Sequence, residues 1–306
     1  MRNAFAKEIT ELAEKDERVV LLSADIGNRL FDDFKIKYPG RFYNCGVAEA
    51  NMIGVAAGMA LSGLRPVCYT ITNFVTYRCL EQIRVDLCYH YQPVIVVGTG
   101  SGLSYASLGG THQSCEEMGM LRLLPGLAVL APADSMEVRA ALRAALREKG
   151  PVYMRIGKKG EPDMHDGVPD FTIGRAIEMR AGTDACILSA GTMLPVAMEA
   201  AELLAARGCS TRVVSFHTIK PLDEALLSEV FSNYKVVATV EEHSILGGLG
   251  GSVAEWLSDQ KAPRARLRRF GTPDEFIHET CEQKSARNIS GLTGENIAST
   301  IASLCR

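Results

Sequence analysis

The sequence has little that would suit a membrane, a secretory route or a nucleic acid. Its 306 residues carry a net charge of −3, so there is no basic excess to attract nucleic acid or an anionic membrane surface. No stretch approaches the roughly 20 apolar residues of a membrane span. Residues 1–17 are rich in charge and lack the apolar core of a signal peptide. We therefore expect a soluble globular protein that binds neither nucleic acid nor membrane.

Cysteine is present but lacks the spacings that hold a metal or predict a disulfide. The nine cysteines are scattered, with no Cys-x-x-Cys pair. Such a set is typical of reduced thiols that pack as small hydrophobic side chains. The pattern favours a cytoplasmic protein with no metal site of its own.

Short apolar runs alternate with helical patterns along the chain. Runs this short and rich in Val and Ile predict strands buried on both faces. They are expected at 19–22, 66–70, 94–97, 127–130, 152–156, 185–188, 211–215, 236–240 and 266–269. The clearest helix follows Asp134, whose spacing to Glu137 predicts a capping box, and another covers 192–206. The alternation predicts an α/β fold with mainly parallel sheets.

One segment interrupts this alternation. Residues 157–170 are polar, rich in Gly and Pro, and without a hydrophobic period, which is typical of a domain linker. We therefore predict two doubly wound domains, 1–160 and 171–306, joined by the linker at 157–170.

Two glycine-rich segments could bind anions. Gly98 to Gly102 follows a strand, but Leu103 stands where a dinucleotide-binding fingerprint needs its last glycine, so a flexible loop is favoured. Residues 247–251 precede a helix and could cradle an anion at its N-terminus, although tight turn packing is the favoured explanation.

Four side chains are candidates for chemistry. Glu49 begins an otherwise apolar helix, where it is either a solvated acid at the positive helix end or a desolvated carboxylate. His112 lies in a loop after a strand, where ligands bind in parallel sheets. A lone histidine in a loop is, however, often an exposed residue without a function. Phe74 and Tyr77 share one helical face, as core packing or as the wall of a site.

Together these segments resemble the transketolase family, in order and over the whole chain. Residues 46–52 resemble the signature around its catalytic glutamate, and 74–77 the aromatic segment that holds an aminopyrimidine ring. Residues 110–113 resemble the loop whose histidine faces cofactor and substrate, and 21–25 the first strand, which ends near the thiazolium. Further family-like segments are 132–134, 150–155, 219–223 and 241–248.

The resemblance implies a thiamine-diphosphate enzyme in two pieces. A full transketolase has a diphosphate-binding, a pyrimidine-binding and a C-terminal domain, and this chain is similar to the second and third. The Gly-Asp-Gly segment that holds the metal and the diphosphate has no counterpart in the sequence. The chain thus resembles the small subunit of a split transketolase. We expect a diphosphate-binding partner subunit that holds Mg²⁺, in a heterotetramer with two copies of each subunit.

The resemblance also implies roles for individual residues. Glu49 would hydrogen-bond a ring nitrogen of the aminopyrimidine and so promote loss of the thiazolium proton. His112 would bind the developing alkoxide or shuttle its proton. Cofactor contacts are assigned to Glu49, Asp25, Ile71, Phe74 and Tyr77.

The substrate side matches the family less well. Arg155 matches a phosphate-binding arginine of the family, and Arg2 is a candidate for a second one. Leu108 stands where the family has an aspartate that reads a substrate hydroxyl, and a second histidine is replaced by 100–101. We expect transfer of a two-carbon ketol unit from a phosphorylated or otherwise anionic ketose to an aldehyde. An unusual ketose, such as a sulfonated sugar, fits this pattern.

Two alternatives stay open. The chain could belong to a related thiamine enzyme, as the β-subunit of a 2-oxoacid dehydrogenase or part of a deoxyxylulose-phosphate synthase-like protein. A dehydrogenase would need a lipoyl partner, so lipoyl-dependent oxidation distinguishes it. The chain could also be a non-catalytic regulatory homologue, although retention of Glu49 and His112 argues against this.

Overall fold

The computed structural model describes residues 1–27, 29–261 and 263–305. They form two mainly parallel sheets flanked by helices, which confirms the predicted α/β class. The strands are β1 (Val19–Ser23), β2 (Phe42–Asn44), β3 (Arg65–Ile71), β4 (Ile95–Thr99), β5 (Ala128–Leu130), β6 (Val152–Ile156), β7 (Ile177–Arg180), β8 (Ala185–Ser189), β9 (Thr211–Ser215), β10 (Thr218–Lys220), β11 (Val236–Ser244) and β12 (Arg266–Thr272).

Helices cover both faces of the sheets. They are α1 (Arg2–Lys15), α2 (Asp32–Lys37), α3 (Glu49–Leu61), α4 (Thr72–Thr76), α5 (Leu80–Gln82), α6 (Glu117–Arg122), α7 (Ser135–Ala145), α8 (Leu194–Ala206), α9 (Glu224–Asn233), α10 (Leu249–Ser258), α11 (Gln283–Ile289) and α12 (Gly294–Cys305). Short 3₁₀ turns cover Pro39–Arg41, Ala106–Leu108 and Gly191–Met193, and Ile83–Tyr89 is a π-helical segment.

The first sheet has the order β10-β5-β6-β4-β3-β1-β2, and the second has the order β12-β11-β8-β9-β7. Pairing is parallel except at one edge of each sheet, where β10 runs antiparallel to β5 and β7 antiparallel to β9. Each predicted apolar run overlaps a strand. The strands that the sequence did not predict are β2, β7 and β10, which have three or four residues each. Runs this short carry too little hydrophobic period to be recognised.

Helix α7 begins as its sequence predicts. Asp134 Oδ1 accepts the backbone N–H of Glu137 at 2.8 Å, and the Glu137 carboxylate returns to the N–H of Ala133 at 2.7 Å. The reciprocal bond thus reaches one residue further back than in a standard capping box. The apolar stripe of the helix is buried and includes Val138 and Leu142. The cap fixes the end of the helix that lies beside the segment between the two sheets.

The segment 157–170 is not detached from its surroundings. The backbone N–H groups of Met164 and His165 donate to Asp134 Oδ2 at 2.7 and 2.9 Å, and the ring of His165 bonds the same oxygen. Strand β10 returns from the later part of the chain to pair with β5. The later half therefore supplies one edge of the first sheet. The division at 157–170 stays a prediction.

In the glycine-rich turn at 247–251, backbone N–H groups bind a carboxylate of the protein itself. The N–H groups of Leu249 and Gly250, at the start of α10, donate to the Glu241 carboxylate at 2.7 Å each. Because these donors are used by a side chain of β11, the turn serves packing between strand and helix. Separately, no helix in the described ranges combines the length and the apolar character needed to cross a bilayer.

Candidate active site

The predicted cofactor residues gather at one edge of the first sheet. Parallel strands present their carboxyl ends at the same edge, where ligands bind in such folds. Asp25 follows β1, Ile71 ends β3, and the loop after β4 leads to His112. Helix α4 starts directly after Ile71 and carries Phe74. The topology thus brings together side chains that are far apart in sequence.

Glu49 is the first residue of α3, and its carboxylate is desolvated. Only 4% of the residue is exposed. The helix is rich in Ala, Met and Gly, and its buried face includes Met52 and Ile53. Glu49 Oε2 accepts a hydrogen bond from Arg78 Nη1 at 3.3 Å. The positive end of the helix also favours a carboxylate at this position. The structure therefore supports the desolvated form of Glu49 over the solvated one.

Phe74 lies between a cationic and a titratable side chain. Its ring meets the His112 ring edge-on, with centroids 5.2 Å apart. The guanidinium carbon of Arg78 lies 4.2 Å from the centroid of the Phe74 ring. Phe74 is half-buried at the edge of the site, and it is not part of the interior core. Ile71 is also half-buried, where β3 passes into α4.

Tyr77 follows α4 and is fixed by its hydroxyl. The O–H donates to Glu116 Oε2 at 2.6 Å, and Ser114 Oγ lies 3.4 Å away. Burial, followed by the charge of Glu117, raises the pKa of Tyr77 well above its usual range. Tyr77 is therefore a neutral hydrogen-bond donor at any physiological pH.

His112 is half-buried in the loop after β4. Its Nδ1 lies 2.9 Å from Thr111 Oγ1, and its ring contacts Tyr105 edge-on at 6.0 Å between centroids. Burial lowers the pKa of His112 below 6.5, and the charge of Arg78 lowers it further. Both effects favour the neutral form of the imidazole. A neutral imidazole of this kind can accept a proton or share one with a hydroxyl.

A cavity of about 530 Å³ opens beside these residues. Its volume lies within the usual range for small-molecule sites. Both halves of the chain line it: Asn73, Phe74, Tyr77, Arg78, Leu103, Gly110, Thr111, Gln113, Cys115, Glu116, Thr272, Glu275, Phe276 and Ile277. Phe276 is 73% exposed at the rim. The later half of the chain thus closes one side of the cavity.

Sequence reasoning missed the residue that anchors the loop of His112. Glu242, on β11, accepts the N–H of Leu103 at 2.7 Å, Nε2 of Gln283 at 2.9 Å, and the Nε of Arg287. Gly102 and Ser114 pair through their backbones at the base of the loop. The available signal was the polar run at 241–243, because consecutive polar residues that continue a buried strand need partners.

The residues predicted to bind substrate lie outside the cavity lining, apart from the loop of His112. The Arg155 guanidinium is buried, with Nε 3.2 Å from Glu117 Oε1 and Nη2 donating to the carbonyl of Glu242 at 3.2 Å. Arg2 begins α1 and is half-buried, and Leu108 is 53% exposed in a 3₁₀ turn. Their substrate roles stay predictions, and the ion pair with Glu117 counts against a free anion site at Arg155.

Asp25 has a strained and well-defined backbone. Its φ is +49°, in the left-handed region. Its N–H donates to Asn44 Oδ1, and Asn44 Nδ2 donates to Asp25 Oδ1, both at 3.1 Å. Such paired bonds hold a non-glycine residue in this conformation. Asp25 is exposed at the carboxyl end of β1, and its cofactor role stays a prediction.

Known proteins match both halves of the chain. The pyrimidine-binding domain of transketolase matches residues 1–161, and the C-terminal domain of transketolase matches residues 174–297. A 6-deoxy-6-sulfo-D-fructose transketolase subunit, SqwH, from Clostridium sp. (strain MSTE9) is 38% identical over 90% of this chain and 85% of its own. An apulose-4-phosphate transketolase subunit from Phocaeicola vulgatus is 33% identical over 98% of this chain and 95% of its own.

A solved structure shows the same fold. It is described as a split-gene transketolase in an inactive β4 tetramer, and it superposes with a TM-score of 0.90 at 33% identity. The match covers 99% of this chain and 97% of the solved one.

Proposed function

The chain belongs to the transketolase family, and on that premise we propose that it is the pyrimidine-side subunit of a split, thiamine-diphosphate-dependent transketolase. Its reaction transfers a two-carbon ketol unit from a ketose to an aldehyde acceptor. The observation that carries the proposal is the placement of Glu49 and Phe74. A desolvated carboxylate and an aromatic ring face lie within reach of one planar group, Arg78.

These residues fit the pyrimidine end of the cofactor. A ring face can stack on the aminopyrimidine, while the adjacent carboxyl group can share a proton with a ring nitrogen. When bound, thiamine diphosphate supplies a nucleophilic carbon and an electron sink. Glu49 holds the ring nitrogen, Phe74 and Tyr77 wall the ring, and Asp25 and Ile71 border the same edge. Neutral His112 accepts or returns a proton at the substrate oxygen.

The diphosphate end of the cofactor is assigned in this proposal to a partner subunit. Among the residues that the structure describes, no group of three or more His, Cys, Asp or Glu side chains could hold a metal ion. The matched domains are the pyrimidine-binding and C-terminal domains, and two relatives are named as transketolase subunits. On this basis we propose that a separate diphosphate-binding subunit carries the Mg²⁺, in a heterotetramer with two copies of each chain. A cytoplasmic location, which the unpaired cysteines predict, is part of the same proposal.

The substrate is proposed to be an anionic ketose. SqwH and the apulose-4-phosphate enzyme are named for a sulfonated and a phosphorylated ketose, and both substrates are anionic. Both relatives align with this chain over most of their length, which favours a split transketolase over a lipoyl-linked dehydrogenase.

Calorimetry tests the division of the cofactor site. The purified chain with thiamine diphosphate and Mg²⁺ should bind weakly and show no ketol transfer. Adding the diphosphate-binding subunit should give tight binding and turnover. Micromolar or tighter, Mg²⁺-dependent binding of one cofactor by this chain alone would overturn the split-site proposal.

A further inference from the structure

A third side chain connects the two residues assigned to the pyrimidine. Arg78 lies one helical turn beyond Phe74, and its guanidinium carbon stands 4.2 Å from the centroid of the Phe74 ring. The same guanidinium donates to Glu49 Oε2 at 3.3 Å. One planar cation therefore contacts the aromatic ring and the carboxylate together. Sequence reasoning did not single out Arg78.

We propose, resting on the proposed function, that Arg78 fills the pyrimidine subsite until the cofactor displaces it. A guanidinium and an aminopyrimidine share the shape and the contacts that this subsite can recognise. Each is planar, and each can stack on an aromatic ring. A guanidinium donates N–H groups to a carboxylate, and an aminopyrimidine does the same once its ring nitrogen is protonated. Because both groups need the same ring of Phe74 and the same carboxylate, they compete. Arg78 thereby controls entry of the cofactor's pyrimidine half.

The contacts of Arg78 are weak enough to be exchanged. Its side chain is 52% exposed. Ion pairs and cation–π contacts made by an exposed cation are among the weaker interactions in proteins, and salt screens them. The carboxylates of Glu116 and Glu275 line the same cavity. A displaced guanidinium therefore stays in a cavity that two other carboxylates line.

The same contacts allow an alternative role for Arg78. Arg78 could act as a clamp that orients Glu49, with the pyrimidine taking the other carboxylate oxygen. Removing the guanidinium would then weaken pyrimidine binding, because Glu49 would lose its orientation. If Arg78 is a placeholder, the same change strengthens binding. The sign of the effect therefore separates the two roles.

The test uses the full chain and the pyrimidine half of the cofactor. The probe is 4-amino-5-hydroxymethyl-2-methylpyrimidine, and its affinity is measured by ligand-observed NMR titration. Arg78→Met removes the planar cation and keeps a long side chain. We expect binding about fivefold tighter than in the wild type, given the size of one ion pair and one cation–π contact made by a half-exposed arginine. Arg84→Met, an exposed arginine outside the cavity lining, is the matched control and should leave the affinity unchanged.

The outcomes distinguish this inference from the function on which it rests. Equal, weaker or undetectable binding by Arg78→Met overturns the placeholder role. In the double variant Glu49→Gln/Arg78→Met, the gain relative to Glu49→Gln should be lost, because Arg78 no longer has the carboxylate for which the two groups compete. A gain that survives Glu49→Gln supports displacement from Phe74 and contradicts the proposed role of Glu49 in the transketolase site.

Discussion

Two buried glutamates differ in how completely the fold fills their hydrogen-bond positions. Glu49 and Glu242 are 4% and 3% exposed. Glu242 accepts hydrogen bonds from a backbone N–H, an amide and a largely buried guanidinium, all within the wall that holds the His112 loop. Glu49 instead meets a half-exposed arginine that lines an open cavity. The two carboxylates are thus equally buried, but Glu242 accepts several hydrogen bonds from the fold and Glu49 accepts one from a half-exposed side chain.

The difference indicates where exchangeable partners can enter. A buried carboxylate whose acceptor positions are filled by the fold stabilises that fold and has no capacity for a ligand. A desolvated carboxylate with an exchangeable partner can accept a ligand at little structural cost. The first kind should matter for stability and the second for chemistry.

Glu49→Gln should remove the chemical role of Glu49 and leave the fold intact. Gln cannot share a proton with the ring nitrogen, so deuterium exchange at the thiazolium carbon in the reconstituted complex should slow by about 10³-fold. Assembly should be unchanged in gel filtration. Glu81→Gln, on the exposed surface of α5, serves as the control and should exchange normally. Near-normal exchange in Glu49→Gln would contradict the assignment.

Glu242→Ala should destabilise the fold. It leaves the Leu103 N–H and the Arg287 guanidinium without their acceptor, so the free energy of unfolding should fall by about 3 kcal/mol. Glu49→Ala should cost less than about 1 kcal/mol, because its partner is half-exposed. Chemical denaturation measures both, and equal losses in the two variants would contradict the distinction.

A double variant sharpens the same test. Glu242→Ala and Arg287→Met remove the two ends of one ion pair, so their combined destabilisation should be less than the sum of the single effects. Strict additivity would show that Glu242 acts through its other donors and that the ion pair contributes nothing.

Leu108 should affect the choice of substrate. Leu108 has no polar group, so discrimination at the hydroxyl that the family's aspartate reads should fall from roughly 10⁴-fold towards 10-fold. The measurement compares kcat/KM for two ketose donors epimeric at that carbon. A preference above about a thousandfold would mean that another side chain reads this hydroxyl.

The charge of Arg78 should also be detectable in the pKa of His112. Burial is the larger cause of its lowered pKa, and the charge of Arg78 is the second. Arg78→Met should therefore raise the pKa of His112 while leaving it below 6.5, which increases the protonated fraction at mildly acidic pH. NMR titration of the imidazole in Arg78→Met and in the Arg84→Met control measures the shift. A lower pKa in Arg78→Met would exclude Arg78 as a contributor.

Much of the fold could be predicted from local pattern. Buried parallel strands have continuous apolar runs, and a helix cap has a fixed spacing, so β6 and α7 were located from sequence. β10 could not be located, because three residues carry no period and their pairing with β5 joins positions about 90 residues apart.

The site was predicted unevenly for a similar reason. Glu49 and His112 stand in recognisable segments. Glu49 accepts a hydrogen bond from Arg78, and the His112 ring contacts the Phe74 ring. The charge of Arg78 also lowers the pKa of His112. Arg78 and Glu242 act through contacts between elements, which spacing along one element does not reveal. The anion role expected of Arg155 also depended on its neighbours, and Glu117 is the neighbour it has.

Strand β10 limits how the two halves can be treated as modules. It covers the outer edge of β5, and Lys220 on β10 donates to the carbonyls of Arg122 and Leu124 at 2.9 and 2.6 Å. Cutting the chain within 157–170 would leave β5 as a bare edge strand, which is a template for aggregation. Chimeras that exchange one half between relatives must therefore carry 218–220 with the first sheet, and recombination at the apparent linker would separate a strand from its own sheet.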